Sequence, residues 1–181
     1  MNKTIIALLV LAIVSCNNLR NLASFNWNTV YNDLVSTHNT KRKKHGAPSL
    51  TKLAAIASKC QTTANNCKSK QDLIHSTDYY NNEPVGQNLF LMGGAAPTGS
   101  YITEDWYSEN VNYNYNTGES KNGGEIGHFT QLVWKKSLNI GCAYAVGTWK
   151  GYNPSYFVCC NYFPAGNYIG QYTQNVGKPS S

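Results

Sequence analysis

The sequence lacks the short motifs that mark the best-known hydrolase and nucleotide-binding sites. It contains no His-Glu-x-x-His, no Gly-x-Ser-x-Gly and no catalytic cysteine signature, so none of the corresponding protease or hydrolase sites is indicated. The glycine-rich stretch at 93–99 lacks the Lys-Ser/Thr pair of a phosphate-binding loop, and we assign it no nucleotide role. A serine hydrolase that uses Ser76 or Ser108 beside a histidine stays open, although no feature of the sequence supports it.

Acidic residues are scarce as well. The chain has 9 Asp and Glu against 15 Lys and Arg, which gives a formal net charge of +6. Much of the excess lies in Lys41-Arg42-Lys43-Lys44. No nucleic-acid-binding motif accompanies this run. We therefore interpret it as the solvated end of a helix, where cations complement the helix dipole.

Long apolar runs are confined to the N-terminus. Lys3 precedes the apolar stretch Ile5 to Val14, and Ser15-Cys16 follows with small residues, which is the pattern of a secretory signal peptide over 1–16. The stretch is too short to span a bilayer. Val14-Ser15-Cys16 also fits a lipoprotein box, in which an acylated Cys16 would anchor the protein. We expect a secreted, extracellular protein, with the lipid anchor as the alternative.

Hydrophobic periodicity predicts both helices and strands within one domain, which is what 181 residues can accommodate. Helical spacing predicts a first helix from Asn28, stopped by Gly46, whose buried face carries Val30, Tyr31, Leu34, Val35 and His38. A second helix, capped by Thr51, is expected to give way to a loop from Cys67 to Ile74. A third helix is expected after Ser100 and a short one at 129–134. Alternation at 140–146 and 156–162 predicts an antiparallel hairpin connected by 147–154.

Two longer segments carry a family resemblance. Gly-His-Phe-Thr-Gln-Leu-Val-Trp at 127–134 resembles the first signature of the CAP superfamily, the cysteine-rich secretory, antigen 5 and pathogenesis-related 1 proteins. Phe-Val-Cys-Cys-Asn-Tyr-Phe-Pro-Ala-Gly-Asn-Tyr at 157–168 is similar to its second signature, and 38–42 and 86–89 are similar to two shorter motifs. The resemblance implies an α+β fold, a three-layer α-β-α sandwich with a small, mainly antiparallel sheet. It would cover 27–172, between a short mature arm (17–26) and a polar tail (173–181).

The resemblance also implies a cleft that gathers two histidines and two acidic positions. In this sequence the matching residues are His75, Gln87, Glu109 and His128. His75 and His128 are suitable ligands for Zn²⁺ or another divalent cation, but two protein ligands make an open site that holds the metal weakly. Gln87 stands where glutamate is more frequent, and an amide cannot act as a general base. We therefore expect weak metal affinity, and we assign His38 and His45 to structure.

Five cysteines follow Cys16, an odd number that leaves one thiol to explain in a secreted, disulfide-bonded chain. Neighbours in a strand point to opposite faces, so Cys159 and Cys160 cannot both meet Cys142. If Cys60 and Cys67 are both helical, they lie too far apart to pair. By resemblance, Cys67 pairs with Cys142, and Cys60 is proposed to pair with Cys159 or Cys160.

These observations lead to one expected function and two alternatives. The resemblance implies a secreted, non-enzymatic protein that binds a small hydrophobic ligand, a sterol or fatty acid, or an extracellular partner surface. We expect a monomer and no nucleic-acid partner. One alternative is a metal-assisted hydrolase or protease that uses His75, His128 and Glu109. The other is a host-defence or cell-recognition module that acts through surface contacts alone.

Overall fold

The computed structural model describes residues 25–180. The predicted signal peptide (1–16), which includes Cys16, lies outside the described residues, as does the predicted arm up to residue 24. Within residues 25–180, no helix combines the length and the hydropathy that a membrane span requires.

Helices and a small sheet alternate along the chain. The helices are α1 (Trp27–Lys44), α2 (Ala54–Lys70), α3 (Gly99–Ser108), α4 (Gly127–Val133) and α5 (Tyr172–Asn175), and a 3₁₀ turn (Glu109–Asn112) follows α3. The strands are β1 (Thr51–Lys52), β2 (Tyr79–Tyr80), β3 (Glu83–Pro84), β4 (Gly86–Gly93), β5 (Asn139–Trp149) and β6 (Tyr152–Phe163).

The main sheet has the strand order β1-β5-β6-β4 and separates two hydrophobic layers. Strand β6 is antiparallel to both β5 and β4, whereas the short β1 is parallel to β5. Alternate residues of β6 point to opposite sides: Phe157 packs with α2, while Val158 packs with α1, α3 and α4. The predicted α+β sandwich, with helices on both faces of a mainly antiparallel sheet, is confirmed.

The predicted hairpin is present, but its connection is shorter than expected. Strands β5 and β6 pair from Asn139↔Phe163 to Trp149↔Tyr152. Only Lys150 and Gly151 join them, with φ of 46° and 86°. Positive φ at both positions is what a tight two-residue hairpin turn requires.

Helix α1 buries its predicted face, although Tyr31 is only partly buried, and it differs from the prediction at its basic end. Asn26 caps the helix by accepting a hydrogen bond from the backbone N–H of Thr29. The expectation that all four basic residues are solvated is wrong for Arg42, which is fully buried. Its guanidinium donates to backbone carbonyls of Pro48, Leu132, Trp134 and Ser137 at 2.6–2.9 Å. Burial lowers the pKa of Arg42 to about 10, so it stays charged at neutral pH.

Helix α2 differs from its prediction at both ends. Thr51 belongs to β1 and the helix begins after Leu53, so Thr51 is not its cap. The helix continues through Asn65 and Asn66 to Lys70 and ends at Gln71, which has the left-handed conformation. The expected loop from Cys67 therefore starts four residues later, because Cys67 is buried with Cys60 against the sheet and this packing outweighs the weak helix propensity of asparagine.

The disulfide pairing corrects one expectation. Cys60 of α2 bonds to Cys159 of β6, one of the two proposed partners. The Cys67–Cys142 pair is wrong: Cys142 bonds to Cys160, directly opposite on β6, with 4.1 Å between the Cα atoms. Cys142 and Cys67 belong to the hydrophobic layers on opposite faces of the sheet and so cannot meet. Cys67 is a buried free thiol.

The segment expected to be a polar tail (173–181) packs in part against the domain. Val176 is buried, and the carbonyl of Gly177 accepts a hydrogen bond from Nδ1 of the buried His45 at 2.7 Å. The backbone N–H of Ser180 donates to the carbonyl of Lys44. His45 and His38 are both buried and hydrogen-bonded, as expected of structural histidines.

Candidate functional site

A polar cleft of about 290 Å³ straddles the edge strand β4. Gln87 and Asn88 are successive residues of this strand, and their side chains leave opposite faces of the sheet. His75 lies on the α2 side with Gln87, and His128 lies on the α4 side with Asn88. The cleft lining consists of His75, Gln87, Asn88, Glu125, Gly127, His128 and Asn167.

His128 is held from behind by Glu109. Oε1 of Glu109 lies 2.6 Å from Nδ1 of His128. Oε2 accepts hydrogen bonds from the backbone N–H groups of His128 and Phe129, at 2.9 and 3.1 Å. Glu109 thus accepts hydrogen bonds from N–H groups in the first turn of α4 that have no partner within the helix. Its negative charge also lies next to the positive end of the helix dipole, which is favourable. Because a carboxylate only accepts, Nδ1 of His128 must carry the proton, which leaves the Nε2 lone pair free when the ring is neutral.

Aromatic packing further fixes the His128 ring. The indole of Trp106 lies nearly parallel to it, with 6.2 Å between the ring centroids. Trp106 is itself buried and anchored by a hydrogen bond from Nε1 to the carbonyl of Leu89.

A second carboxyl group, that of Asp105, lies one turn before Glu109. Burial raises the pKa of Asp105, and the Glu109 charge raises it less strongly, while His128 lowers it.

His75 is oriented by Gln87 in an equivalent way. Nδ1 of His75 lies 2.9 Å from Oε1 of Gln87, which also accepts a hydrogen bond from the backbone N–H of Ser76. Nδ1 of His75 is therefore the protonated nitrogen, and Nε2 is again unprotonated in the neutral ring. The loop that carries His75 is held to α2 by the N–H of Ile74, which donates to Sγ of Cys67 at 3.3 Å.

The four residues indicated by the resemblance thus form two hydrogen-bonded pairs. His75, Gln87 and His128 line the cleft, whereas Glu109 lies behind His128 and does not line it. Two imidazole Nε2 atoms are ligands that suit late first-row divalent ions such as Zn²⁺. Among residues 25–180, no group of three or more His, Cys, Asp and Glu side chains is placed to hold a metal ion. Any metal here would need water or an added ligand to complete its coordination.

The serines considered as nucleophiles are not paired with a histidine. Oγ of Ser76 contacts Thr63, Asp78 and Gln87, and Oγ of Ser108 donates to the carbonyl of Asp105. Neither arrangement provides the adjacent histidine base on which the serine hydrolase considered above would depend.

Sequence reasoning missed several residues that shape the cleft. Asn167 lies three residues after Pro164 and has a φ of 60°. Its Nδ2 donates a hydrogen bond to the backbone carbonyl of Gly127. Asn88 donates to the carbonyl of His128 at 3.1 Å. Both lie inside the matched motifs, and Asn88 directly follows Gln87, which was singled out. Glu125 gave no comparable signal.

Comparisons with known proteins agree with the fold. The model of the cysteine-rich secretory protein family matches residues 35–162. The chain is 35% identical over 139 residues to pathogenesis-related leaf protein 4 of Solanum lycopersicum, which covers 77% of this chain and 80% of that protein. BmVAL-1 has a similar structure, with a TM-score of 0.61 and 17% identity over 87% of this chain and 86% of that one. NaASP2, solved with Zn²⁺, gives a TM-score of 0.55 and 19% identity, covering 84% and 87% of the two chains.

Proposed function

Because this chain belongs to the cysteine-rich secretory protein (CAP) family, we propose that it is a secreted, non-enzymatic binding protein of the pathogenesis-related type whose cleft weakly holds a divalent cation. One observation carries the proposal: both cleft imidazoles have Nδ1 engaged by a neighbouring side chain. Each ring is therefore oriented, with its Nε2 lone pair unused, as in the outer-shell support of metal-binding histidines.

The donor set argues for Zn²⁺ or a similar ion rather than for Mg²⁺ or Ca²⁺. Imidazole nitrogen is a borderline ligand, whereas Mg²⁺ and Ca²⁺ prefer oxygen. Both oxygens of Glu109 already accept hydrogen bonds, so its part is to orient His128. When bound, the ion would supply Lewis acidity. The residues of the chain orient the ligating rings and leave coordination positions open to water or an external ligand.

The same contacts weigh against the hydrolase alternative. A general base must reach the proton that it removes and be free to accept it. Glu109 is engaged by three donors behind His128, and Gln87 has no basic group. Neither acidic position of the cleft thus supplies a carboxylate base to work with the histidines. We therefore propose binding as the activity, and peptidase and esterase assays are expected to give no signal.

A second surface favours the hydrophobic ligand that the resemblance implies. A groove of about 520 Å³ is lined by the apolar side chains of Leu73, Leu91 and Trp149 and by the polar side chains of Lys70, Gln71, Asp72 and Lys150. Because the two ammonium groups outnumber the one carboxylate, that of Asp72, the lining is net positive. Such a groove suits a fatty acid better than a sterol, since the ligand carboxylate finds a charge partner. We include fatty-acid binding in this groove as a second part of the proposal. The polar cleft offers no comparable lining.

Native mass spectrometry of the protein, secreted from a host and purified without chelator, tests both parts. One Zn²⁺ per chain would support the cation cleft, and a fatty-acid adduct would support the groove. A chain that carries neither, and gains neither after incubation with Zn²⁺ or a fatty acid, would leave surface contact alone as the function and contradict the proposal.

A further inference from the structure

A cluster of polar side chains lies directly behind Gln87. Asn161 of β6 is fully buried and is the cross-strand partner of Gln87. Nε2 of Gln87 donates to Oδ1 of Asn161 at 3.0 Å and to Oγ of Ser76 at 2.8 Å. With Oε1 facing His75 and the Ser76 N–H, the amide of Gln87 makes four polar contacts, two through its oxygen and two through its nitrogen.

Asp78 determines the direction of these hydrogen bonds. Its Oδ2 lies 3.0 Å from Oγ of Ser76 and 3.0 Å from Nδ2 of Asn161. A carboxylate accepts hydrogen bonds only, so the single hydroxyl proton of Ser76 and the amide protons of Asn161 are directed towards Asp78. Both groups then turn lone pairs towards Gln87. A flipped Asn161 would place its oxygen against the Asp78 carboxylate and the carbonyl of Ile56, its other acceptor.

The cluster therefore accepts an amide at position 87 and rejects a carboxylate. A carboxylate in the place of Gln87 would set its second oxygen against the lone pairs of Ser76 and Asn161. These groups can turn towards it only by giving up their hydrogen bonds to Asp78. The amide also has only one acceptor end. That end must face the N–H of Ser76 and Nδ1 of His75, so the position of the histidine proton follows from the charge at Asp78.

We propose that Asp78 is a positioning residue that acts through Ser76 and Asn161 to select an amide at position 87. The amide in turn holds His75 as the Nδ1–H tautomer, with the Nε2 lone pair at the cleft. The value of this arrangement for ligand binding rests on the proposed function. The tautomer itself is a property of the metal-free protein.

Long-range ¹H–¹⁵N correlation spectra of the ¹⁵N-labelled, metal-free protein test the proposal, at a pH at which His75 is neutral. The expected spectrum shows a protonated Nδ1 and an unprotonated Nε2 for His75. A protonated Nε2 would overturn the proposal, even if Zn²⁺ binds. The expected tautomer without Zn²⁺ binding would instead contradict the proposed function and leave this inference standing.

Stability measurements on charge variants test the part assigned to Asp78. Gln87→Glu is expected to raise the equilibrium constant of unfolding by about tenfold, since it sets a carboxylate oxygen against the lone pair of the buried Asn161 amide. Adding Asp78→Asn should recover most of this loss, because Ser76 and Asn161 can then turn towards position 87. The matched control adds Asp72→Asn instead, which removes the same charge from an exposed residue of the same loop outside the cluster. Equal recovery of stability by Asp78→Asn and by Asp72→Asn would mean that only the net charge matters, and it would overturn the proposal.

Discussion

His38 makes the stability of the fold depend on pH below neutrality. The ring is fully buried, with Nδ1 at 2.9 Å from the carbonyl of Leu34 and Nε2 at 2.9 Å from the hydroxyl of Tyr162. Because a carbonyl only accepts, Nδ1 donates and Nε2 accepts the tyrosine proton. Burial lowers the pKa of His38 to about 3, with a smaller lowering by Arg42 that the Leu34 hydrogen bond opposes.

The direction and size of the effect follow from linkage. In the unfolded chain a histidine has its ordinary pKa of 6.5. Below that pH the unfolded chain therefore binds a proton at residue 38 that the folded protein does not bind. The contribution of neutral His38 to stability is complete above the unfolded pKa and is lost progressively as the pH falls towards the folded pKa. At about pH 5 the loss is about 2 kcal/mol. His45, whose pKa burial also lowers, acts in the same direction.

Urea unfolding followed by tryptophan fluorescence, repeated between about pH 7 and about pH 5, measures this loss. The control is His38→Gln, which keeps one donor and one acceptor but cannot be protonated. Whatever its stability at neutral pH, its free energy of unfolding should fall by about 2 kcal/mol less than that of the unaltered protein over the same range. Parallel pH profiles would refute the assignment of His38 as a buried neutral ring.

Two further predictions concern the framework around the cleft. Arg42→Met should lower the free energy of unfolding by at least about 3 kcal/mol, because four backbone carbonyls lose their hydrogen-bond donor. Urea unfolding measures this loss, and a value below about 1 kcal/mol would contradict the structural role of Arg42. Replacing Cys60 and Cys159 by alanine should cost more stability than replacing Cys142 and Cys160, by chain entropy about 5 against about 3 kcal/mol, since the bonds span 99 and 18 residues. The reverse order in thermal unfolding would contradict this.

Much of the fold could be predicted because the information was local or was carried by motifs. The buried face of α1 follows from helical spacing, and the β5–β6 hairpin follows from alternation at 140–146 and 156–162. Arg42 and the end of α2 were misjudged, because burial of a charge or continuation of a weak helix depends on what packs against it. The Cys142–Cys160 bond depends on the register of two strands, which alternation alone does not determine.

The cleft was only partly predictable for a similar reason. The matched motifs indicated His75, Gln87, Glu109 and His128. They did not indicate that Glu109 is hydrogen-bonded to His128 and Gln87 to His75. Asp78 and Asn161 lie 83 residues apart in sequence. They meet because β4 pairs with β6 and because the carbonyl of Asp78 accepts a hydrogen bond from Val85, just before β4. Side-chain hydrogen bonds across such distances leave no periodic signal in the sequence.

Calorimetric titration with Zn²⁺ tests the central claim most directly, on the unaltered protein, His75→Ala, His128→Ala and the double variant. We predict one weakly bound ion per chain, affinity lost in steps with each histidine and abolished in the double variant, and a nearly unchanged melting temperature. Glu125→Gln, which alters the cleft lining but no imidazole, serves as the control and should retain the ion. Zn²⁺ binding that survives the double substitution would contradict the claim, and a large loss of stability in that variant would make the histidine pair structural.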